Sequence, residues 1–350
     1  MEKFFRNISR LSASFVFLVL IATVTVLYIT ARPAIKEFGL HFIIDSRWNV
    51  EVPIDSIASD AVSSDTASPD ENGAAPISDN GMSEESIAGN EKDDSIVIED
   101  EFDRSSESDS GETDGFSGAD GQQKKTVYGG AVLIVGTVFS TLIAMLFSIP
   151  IALGIAVFLS EIASAQLAKP VGIAIELLAA IPSIIYGMWG LFYFGPFIAS
   201  IFGGNSISLL VAGLVLGVMV LPFMAALSRD AINTTPDVLK ESAYSMGATK
   251  FDVIKDIIFP YAKAGIIGSI IVSLGRAMGE TMAVAFVIGG VFEFAHNITS
   301  PTNSIPVVLA NNFAESSGIS MNSLFYLSLL LFVISFIVIF SAKYFLLRRR

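Results

Sequence analysis

The chain has 350 residues, of which 52% are hydrophobic and only 16% are charged, a composition that exceeds the apolar content of a soluble core and indicates a membrane protein. Its net charge of −13 comes from one segment, because residues 51–120 hold 21 acidic and two basic residues, a net −19, and the rest of the chain carries +6. The lack of cysteine excludes disulfides, thiolate metal sites and a thiol nucleophile.

The first half of the chain predicts two membrane spans. Residues 11–31 contain no charged side chain and are about 30 Å long as a helix, which is enough to cross a bilayer. The run lacks an A-x-A cleavage pattern, so we expect a retained span one rather than a cleaved signal peptide. The charge-free run 126–160 predicts span two, with Pro150 inside it.

The second half predicts four more spans. The charge-free run 177–228 is too long for one crossing, and Gly203-Gly204-Asn205-Ser206 divides it into spans three and four. Span five is expected from Lys263 to about Gly290, and span six within residues 316–342. The sequence thus predicts an all-α integral membrane protein with six transmembrane helices.

The positive charges predict the orientation of these helices. Loop 229–263, called the charged loop below, holds five Lys or Arg residues, whereas loop 291–322 holds none. Basic residues also precede span one and follow span six. Because cytoplasmic loops carry an excess of Lys and Arg, we expect a multi-pass membrane protein with both termini in the cytoplasm.

Residues 49–123 are rich in Ser, Asp, Glu and Gly and are predicted to form a disordered acidic insertion outside the membrane. The cluster at 109–115 could bind calcium, but EF-hand spacing is absent. The predicted division is therefore 1–48 with the N-terminus, span one and the start of an outer loop; the insertion 49–123; and a core 124–350 with spans two to six.

The charged loop is predicted to contain two short helices joined by a glycine turn. Thr235 and Pro236 suit the start of the first helix and Gly247 its end. Thr249 suits the start of the second helix, and Pro260 limits its length. A DNA-binding helix-turn-helix has a similar outline, but this loop is balanced in charge and tethered to the membrane at both ends, so we expect no nucleic-acid partner.

The spacing of the charged loop resembles a known family. Its pattern is Glu241-Ser242-Ala243, three residues, Gly247, nine residues, Ile257, one residue and Phe259-Pro260. This resembles the EAA loop of ATP-binding-cassette importer permeases, with Ser242 and Phe259 departing from the commonest form. The resemblance implies an ATPase-coupling role for Glu241, Ser242, Ala243, Gly247, Ile257 and Pro260.

Two longer sequence segments resemble one particular group within this family. Residues 172–192 and 274–284 are similar to the phosphate importer permeases of the PstC type, and the similarity covers 126–346 and more loosely 1–48. It implies a type I, MetI-like core. The implied partners are a second permease subunit of the PstA type, a cytoplasmic ATPase dimer and an extracytoplasmic phosphate-binding protein.

Nucleotide chemistry is expected to belong to a partner. The chain has no Walker lysine motif, so it is not expected to hydrolyse ATP itself. The resemblance implies a transport subunit of a prokaryotic cytoplasmic membrane that is not an enzyme and holds no cofactor. The resemblance implies that ATP and Mg²⁺ are bound by the ATPase.

Arg276 and Glu280 interrupt span five. Arg276 is 13 residues beyond Lys263, about 20 Å into the helix and near mid-membrane. Glu280, four residues on, is expected on the same face as a partner charge. The pair is either a closed structural ion pair or part of an anion pathway, in which arginine matches phosphate oxygens. The resemblance implies that both residues act in moving phosphate. Glu176 is expected to have an interfacial or structural role.

The expected function is that of a permease subunit of an ATP-driven phosphate importer. A permease for sulfate, molybdate or another oxyanion would share the loop pattern. An ion-coupled secondary transporter would use Arg276 and Glu280 but has no need of a docking loop. A structural or signalling membrane subunit is the remaining alternative.

Overall fold

The computed structural model describes residues 2–53 and 124–348, so most of the predicted acidic insertion, 54–123, lies outside the described residues. Within the described part, six helices are long and apolar enough to cross a membrane, as expected. They are Arg10–Phe38, Ala131–Ile162, Ser183–Phe202, Leu209–Asn233, Lys250–Met278 and Gly318–Tyr344.

The helices and strands have the following bounds in chain order. The first part of the chain contains α1 Glu2–Phe38, α2 His41–Ile44, β1 Trp48–Pro53, β2 Lys124–Tyr128, α3 Ala131–Val157 and α4 Ala165–Ala179. The middle contains α5 Ser183–Trp189, α6 Gly195–Phe202, α7 Leu209–Asn233 and α8 Asp237–Ser245. The last part contains α9 Lys250–Asp252, α10 Phe259–Met278, α11 Met282–Ala285, α12 Ile305–Asn312 and α13 Gly318–Arg348.

Within the described residues, three π-helical segments continue an α-helix, and two of them also lead into the next helix. Phe158–Ile162 extends α3, Gly190–Phe194 joins α5 to α6, and Val253–Ile258 joins α9 to α10. A π segment is a wider turn with one extra residue, and such turns are frequent at functional sites.

Span five differs from its prediction at both ends. The helix is continuous from Lys250 to Met278, so it begins before Lys263 and ends well short of Gly290. Pro260 does not limit a separate short helix: it lies at the first turn of α10, directly after the π segment, where its missing N–H is tolerated. The charged loop therefore holds one separate helix, α8, and the start of span five.

Two further elements were not predicted. Helix α4 lies between spans two and three, in a stretch for which the sequence predicts no helix. Strand β1 extends to Pro53, past the predicted boundary at residue 48, and pairs with β2 in a two-stranded sheet. The alternation of Trp48, Val50 and Val52 with polar residues is a strand pattern that explains this extension.

The centre of the bundle is the close pair α3 and α7. Ser148 donates a hydrogen bond from its Oγ to the carbonyl of Gly217 at 2.8 Å. A Cβ on Gly213 would lie 2.7 Å from the side chain of Ile143, so the two helices can approach this closely only because residue 213 is glycine. Small residues spaced by four allow such close contact between membrane helices.

Helix α10 packs on the other side of α7. The hydroxyls of Ser228 and Ser269 form a buried hydrogen bond of 2.7 Å between the two helices. Gly265 lies against Ala231, where a Cβ at residue 265 would come within 2.6 Å of the alanine Cβ. This packing fixes α10, the helix that carries Arg276, to the most buried span of the described chain.

Candidate functional site

Helix α8 ends at Gly247 in a Schellman motif. Gly247 has φ +88°, and its N–H donates to the carbonyl of Tyr244 at 2.9 Å. The N–H of Ala248 donates to the carbonyl of Ala243 at 3.1 Å, which completes the motif. The prediction that Gly247 ends this helix is confirmed, and the left-handed backbone explains why glycine occupies the position.

The start of α8 differs slightly from its prediction. The helix begins at Asp237 after Pro236, one residue later than expected, and Thr235 Oγ1 is buried without a hydrogen-bond partner instead of capping the helix. The second predicted cap is confirmed: Thr249 and Asp252 form a reciprocal capping box at α9.

One face of α8 is held against the membrane helices. Within α8 only Lys240 and Ala243 are not exposed, and Ala243 is 4% exposed. Ala243 belongs to an apolar cluster, called the loop cluster below, whose other buried members are Ala156, Ile232, Val253, Ile258, Ala262 and Ile266. The cluster joins α8 to the ends of α3, α7 and α10.

The opposite face of α8 is free within this chain. Glu241 and Ser242 are exposed on it. Large apolar side chains on α8, in the turn after it and on α9 are exposed as well: Val238 at 70%, Leu239, Tyr244, Met246 at 83%, and Phe251 at 69%. An exposed apolar surface rimmed by polar groups is typical of a protein–protein contact site. We call these residues, with Glu241 and Ser242, the outer patch.

The remaining predicted loop residues lie in the helix after α8. Ile257 is partly buried and packs on the loop cluster. Pro260 is exposed in the first turn of α10. The structure thus divides the predicted coupling residues into an outer set, Glu241 and Ser242, and an inner set that includes Ala243 and Ile257.

Two ion pairs near the charged loop were not predicted. Lys240 Nζ donates to Glu161 Oε1 at 2.7 Å, and both side chains are mostly buried, 17% and 9% exposed. Arg229 donates to Glu176 Oε1 at 2.9 Å, which joins α7 to α4. The second pair agrees with a structural role for Glu176, although no partner was predicted for it.

Arg276 and Glu280 do not form the predicted ion pair. The structure ends α10 at Met278, with Gly279 as the C-cap, so the two residues do not share a helix face. Among the described residues no ion pair involves either side chain. Glu280 Oε1 accepts a hydrogen bond from the N–H of Ala283 at 3.2 Å, at the start of α11.

The Arg276 side chain is exposed on the surface of span five. Its guanidinium carbon lies 5.3 Å from the centre of the Phe223 ring, a cation–π contact with α7. The guanidinium is also close enough to the Tyr186 hydroxyl to interact with it electrostatically.

Tyr186 lines an apolar cavity beside this arginine. The cavity has a volume of about 240 Å³ and is lined by Ile181, Ile185, Tyr186, Trp189 and Val218. The Tyr186 hydroxyl donates to the carbonyl of Leu178 at 2.8 Å, which fixes its direction. Arg276 is thus a cation on an apolar surface, flanked by aromatic rings.

Comparison with known proteins places this arrangement in a family. The model of the family described as binding-protein-dependent transport system inner membrane component matches residues 130–350. The phosphate transport system permease protein PstC of Pasteurella multocida (strain Pm70) is 44% identical over 241 residues, which are 63% of this chain and 75% of that protein. PstC of Mesorhizobium japonicum is 41% identical over 242 residues, 63% of this chain and 74% of that protein.

One solved structure shows the same fold. A chain of the MetNI methionine ABC transporter in an inward-facing conformation is 22% identical, with a TM-score of 0.50, and the match covers 61% of this chain and 94% of that chain. At this level of identity the likeness concerns the fold alone.

Proposed function

Because this chain belongs to the family of binding-protein-dependent transport system inner membrane components, and within it to the PstC permeases, we propose that it is the permease subunit of an ATP-driven importer that carries inorganic phosphate. The observation that carries the proposal is the identity of 41–44% to PstC relatives over about 240 residues. The matching family model covers residues 130–350, which include both α8 and Arg276. ATP hydrolysis belongs to a separate subunit of the complex.

The position of Arg276 supports an anion pathway. The chain is helical from Lys263 to Arg276, so the arginine lies about 20 Å along the helix axis from that lysine. We place Lys263 at the cytoplasmic edge of the bilayer and the arginine therefore inside the hydrocarbon core, where a charge costs up to about 2.5 to 3.5 kcal/mol on insertion scales and does not face lipid tails without compensation. Since the side chain is exposed within this chain, its surroundings in the membrane must come from water, substrate or a second subunit.

The chemistry of this position suits phosphate. Arginine is always protonated, and its planar fork matches two phosphate oxygens. No carboxylate of the described residues pairs with Arg276, so an incoming anion meets a charge that is not already neutralised. Glu280 acts from the start of α11, where it shapes the break between the two helices on the same pathway.

The outer patch supports docking of an ATPase. It combines exposed apolar side chains with the Glu241 carboxylate on a short helix whose other face is anchored in the loop cluster. A surface of this kind fits a partner protein that binds α8 and moves the helix as a rigid unit. The proposed partner is the cytoplasmic ATPase dimer, which places α8 and both chain termini in the cytoplasm of the cell, with residues 124–350 as the permease core.

Two more partners complete the proposed complex. A second permease of the PstA type faces Arg276 and forms the other half of the pathway. An extracytoplasmic phosphate-binding protein delivers the anion at the end of the bundle opposite to α8.

Uptake by the reconstituted complex tests the proposal. In proteoliposomes with internal ATP, radiolabelled phosphate is expected to accumulate, and a large excess of sulfate or molybdate is expected to leave the uptake unchanged. Preferential uptake of sulfate or molybdate would assign another oxyanion. Uptake driven by a proton or sodium gradient without ATP would contradict the proposed mechanism.

A matched variant tests the docking role. Glu241→Lys reverses a charge on the outer patch and is expected to abolish ATP-driven uptake in a correctly inserted complex. Lys250→Glu, a reversal at an exposed position nearby in the same loop, is the control and is expected to retain uptake. Full uptake by the Glu241 variant would show that the patch does not couple ATP to transport.

A further inference from the structure

The ion pair of Lys240 and Glu161 connects α8 to the end of span two. Lys240 lies on α8, and Glu161 lies 79 positions earlier, in the π-helical segment that extends α3. After this segment the chain leaves the helix, since Ala163 has an extended backbone with ψ 142°. Glu161 is therefore at the very end of the span, where a pull on its carboxylate acts on the whole helix.

Apart from its covalent links to α7 and to the start of span five, helix α8 has few contacts through which a movement can pass to the other spans. Of its nine residues only Lys240 and Ala243 are not exposed. Ala243 contributes a single methyl group to the loop cluster, and apolar contacts are not directional, so this contact resists separation but not sliding. A charged hydrogen bond at 2.7 Å between mostly buried groups is directional and resists both.

The other ion pairs of this region do not connect α8 to a membrane span. Arg229 and Glu176 join α7 to α4 and do not involve α8. Lys240 also approaches Asp237 at 3.7 Å, but that contact is internal to α8. Among the residues that the structure describes, the pair with Glu161 is the ion pair that joins α8 to a membrane span.

We propose that Lys240 and Glu161 are positioning residues that make span two follow α8 when the partner ATPase moves it. This inference rests on the proposed function, since it assigns the contact to the coupling of ATP hydrolysis to transport. Neither residue touches the transported anion. Their task is to convert a displacement of α8 into a displacement of the span whose other face packs against α7.

Transport per ATP hydrolysed is the first test. In the reconstituted complex, Lys240→Met and Glu161→Gln are each expected to lower the ratio of phosphate uptake to ATP hydrolysis about tenfold, within the range typical of coupling between sites. The combined variant Lys240→Glu with Glu161→Lys restores the pair in reverse and is expected to recover most of the ratio. Lys255→Met is the control, because Lys255 belongs to an exposed pair in the same loop.

The outcomes of this test separate coupling from folding. An unchanged ratio in both single variants overturns the proposal, even if the amount of assembled complex falls. Failure of the reversed pair to recover the ratio, while it assembles normally, also overturns it. Recovery in the reversed pair supports it, because a purely local packing defect would not be repaired by exchanging the charges.

A distance measurement tests the link without reference to the transported substrate. The chain has no cysteine, so spin labels can be placed at Ser245→Cys, an exposed position of α8 that is not part of the outer patch, and at Ser164→Cys beyond Glu161 in the assembled complex. The distance between the labels is expected to be the same with and without Mg-ATP and vanadate, and to change with nucleotide once Lys240→Met is added. A distance that changes equally with and without Lys240→Met overturns the proposal. If the distance in the complex with Lys240 is constant but that complex transports no phosphate, the proposed function is contradicted, whereas the link between α8 and span two is not.

Discussion

Arg276 lies in the last turn of α10, where the helix dipole favours a cation. Glu280 lies across the break at Gly279, and its carboxylate accepts a backbone N–H of α11. Each charge is therefore stabilised by backbone groups or by an aromatic ring rather than by the other charge. The two side chains are close in sequence but act as separate groups.

This separation predicts independent effects of the two residues. Arg276→Gln is expected to lower phosphate uptake at least about tenfold, because the cation proposed to bind phosphate is lost. Adding Glu280→Gln is expected to multiply the two single effects, with a coupling energy below about 0.5 kcal/mol in a double-mutant cycle. The cycle is measured from initial uptake rates. A coupling energy well above 1 kcal/mol would indicate that the residues pair during transport.

At the residue scale, sequence reasoning identified residues whose type is unusual for their surroundings. Arg276 was found because a charge in an apolar run is rare, and Gly247 because a helix end favours glycine. Lys240 and Glu161 were not found as a pair, since charged residues at the ends of spans are common and nothing local relates positions so far apart. Their contact depends on how α8 folds back onto span two.

The close packing of α3 on α7 makes a prediction at the scale of elements. Gly213→Ala places a Cβ 2.7 Å from Ile143, and such overpacking is expected to cost about 1 to 3 kcal/mol. Gly154→Ala in α3 is the control, because a Cβ there meets nothing within 4 Å. Thermal unfolding of the purified protein should show a lower midpoint for the first variant alone. Equal midpoints for both variants would mean that the helices are not packed as described.

Element boundaries were predicted less well than element number. The number of spans could be predicted from the lengths of the apolar runs, because a helix that crosses a bilayer needs about 20 apolar residues whatever their order. Pro260 was read as limiting a helix, but the π segment before it accommodates the missing donor and the helix continues. Helix α4 was not predicted, because the sequence alone does not show whether Lys169 and Glu176 lie in a loop between two spans or on an amphipathic helix.

At the scale of the whole molecule, the orientation of the bundle is a prediction that labelling can test. In intact cells, Asn205→Cys is expected to react with a membrane-impermeant maleimide, because the break between spans three and four is placed outside. Lys255→Cys, at an exposed position of the charged loop that is not part of the outer patch, is expected to react only after permeabilisation. Both residues are exposed within the chain, so accessibility reports the side of the membrane. The reverse pattern would overturn the proposed orientation.

The lack of a carboxylate partner for Arg276 among the described residues has a consequence for the membrane potential. A transport pathway that opens to either side risks leaking protons and sodium. On the proposed pathway, a guanidinium that no described carboxylate neutralises is a fixed positive charge, and such a charge repels cations as strongly as it attracts an anion. Had Glu280 paired with it, the pathway would have been close to neutral at this point. The same side chain that receives phosphate would then also keep the pathway closed to the ions whose gradients the cell must hold.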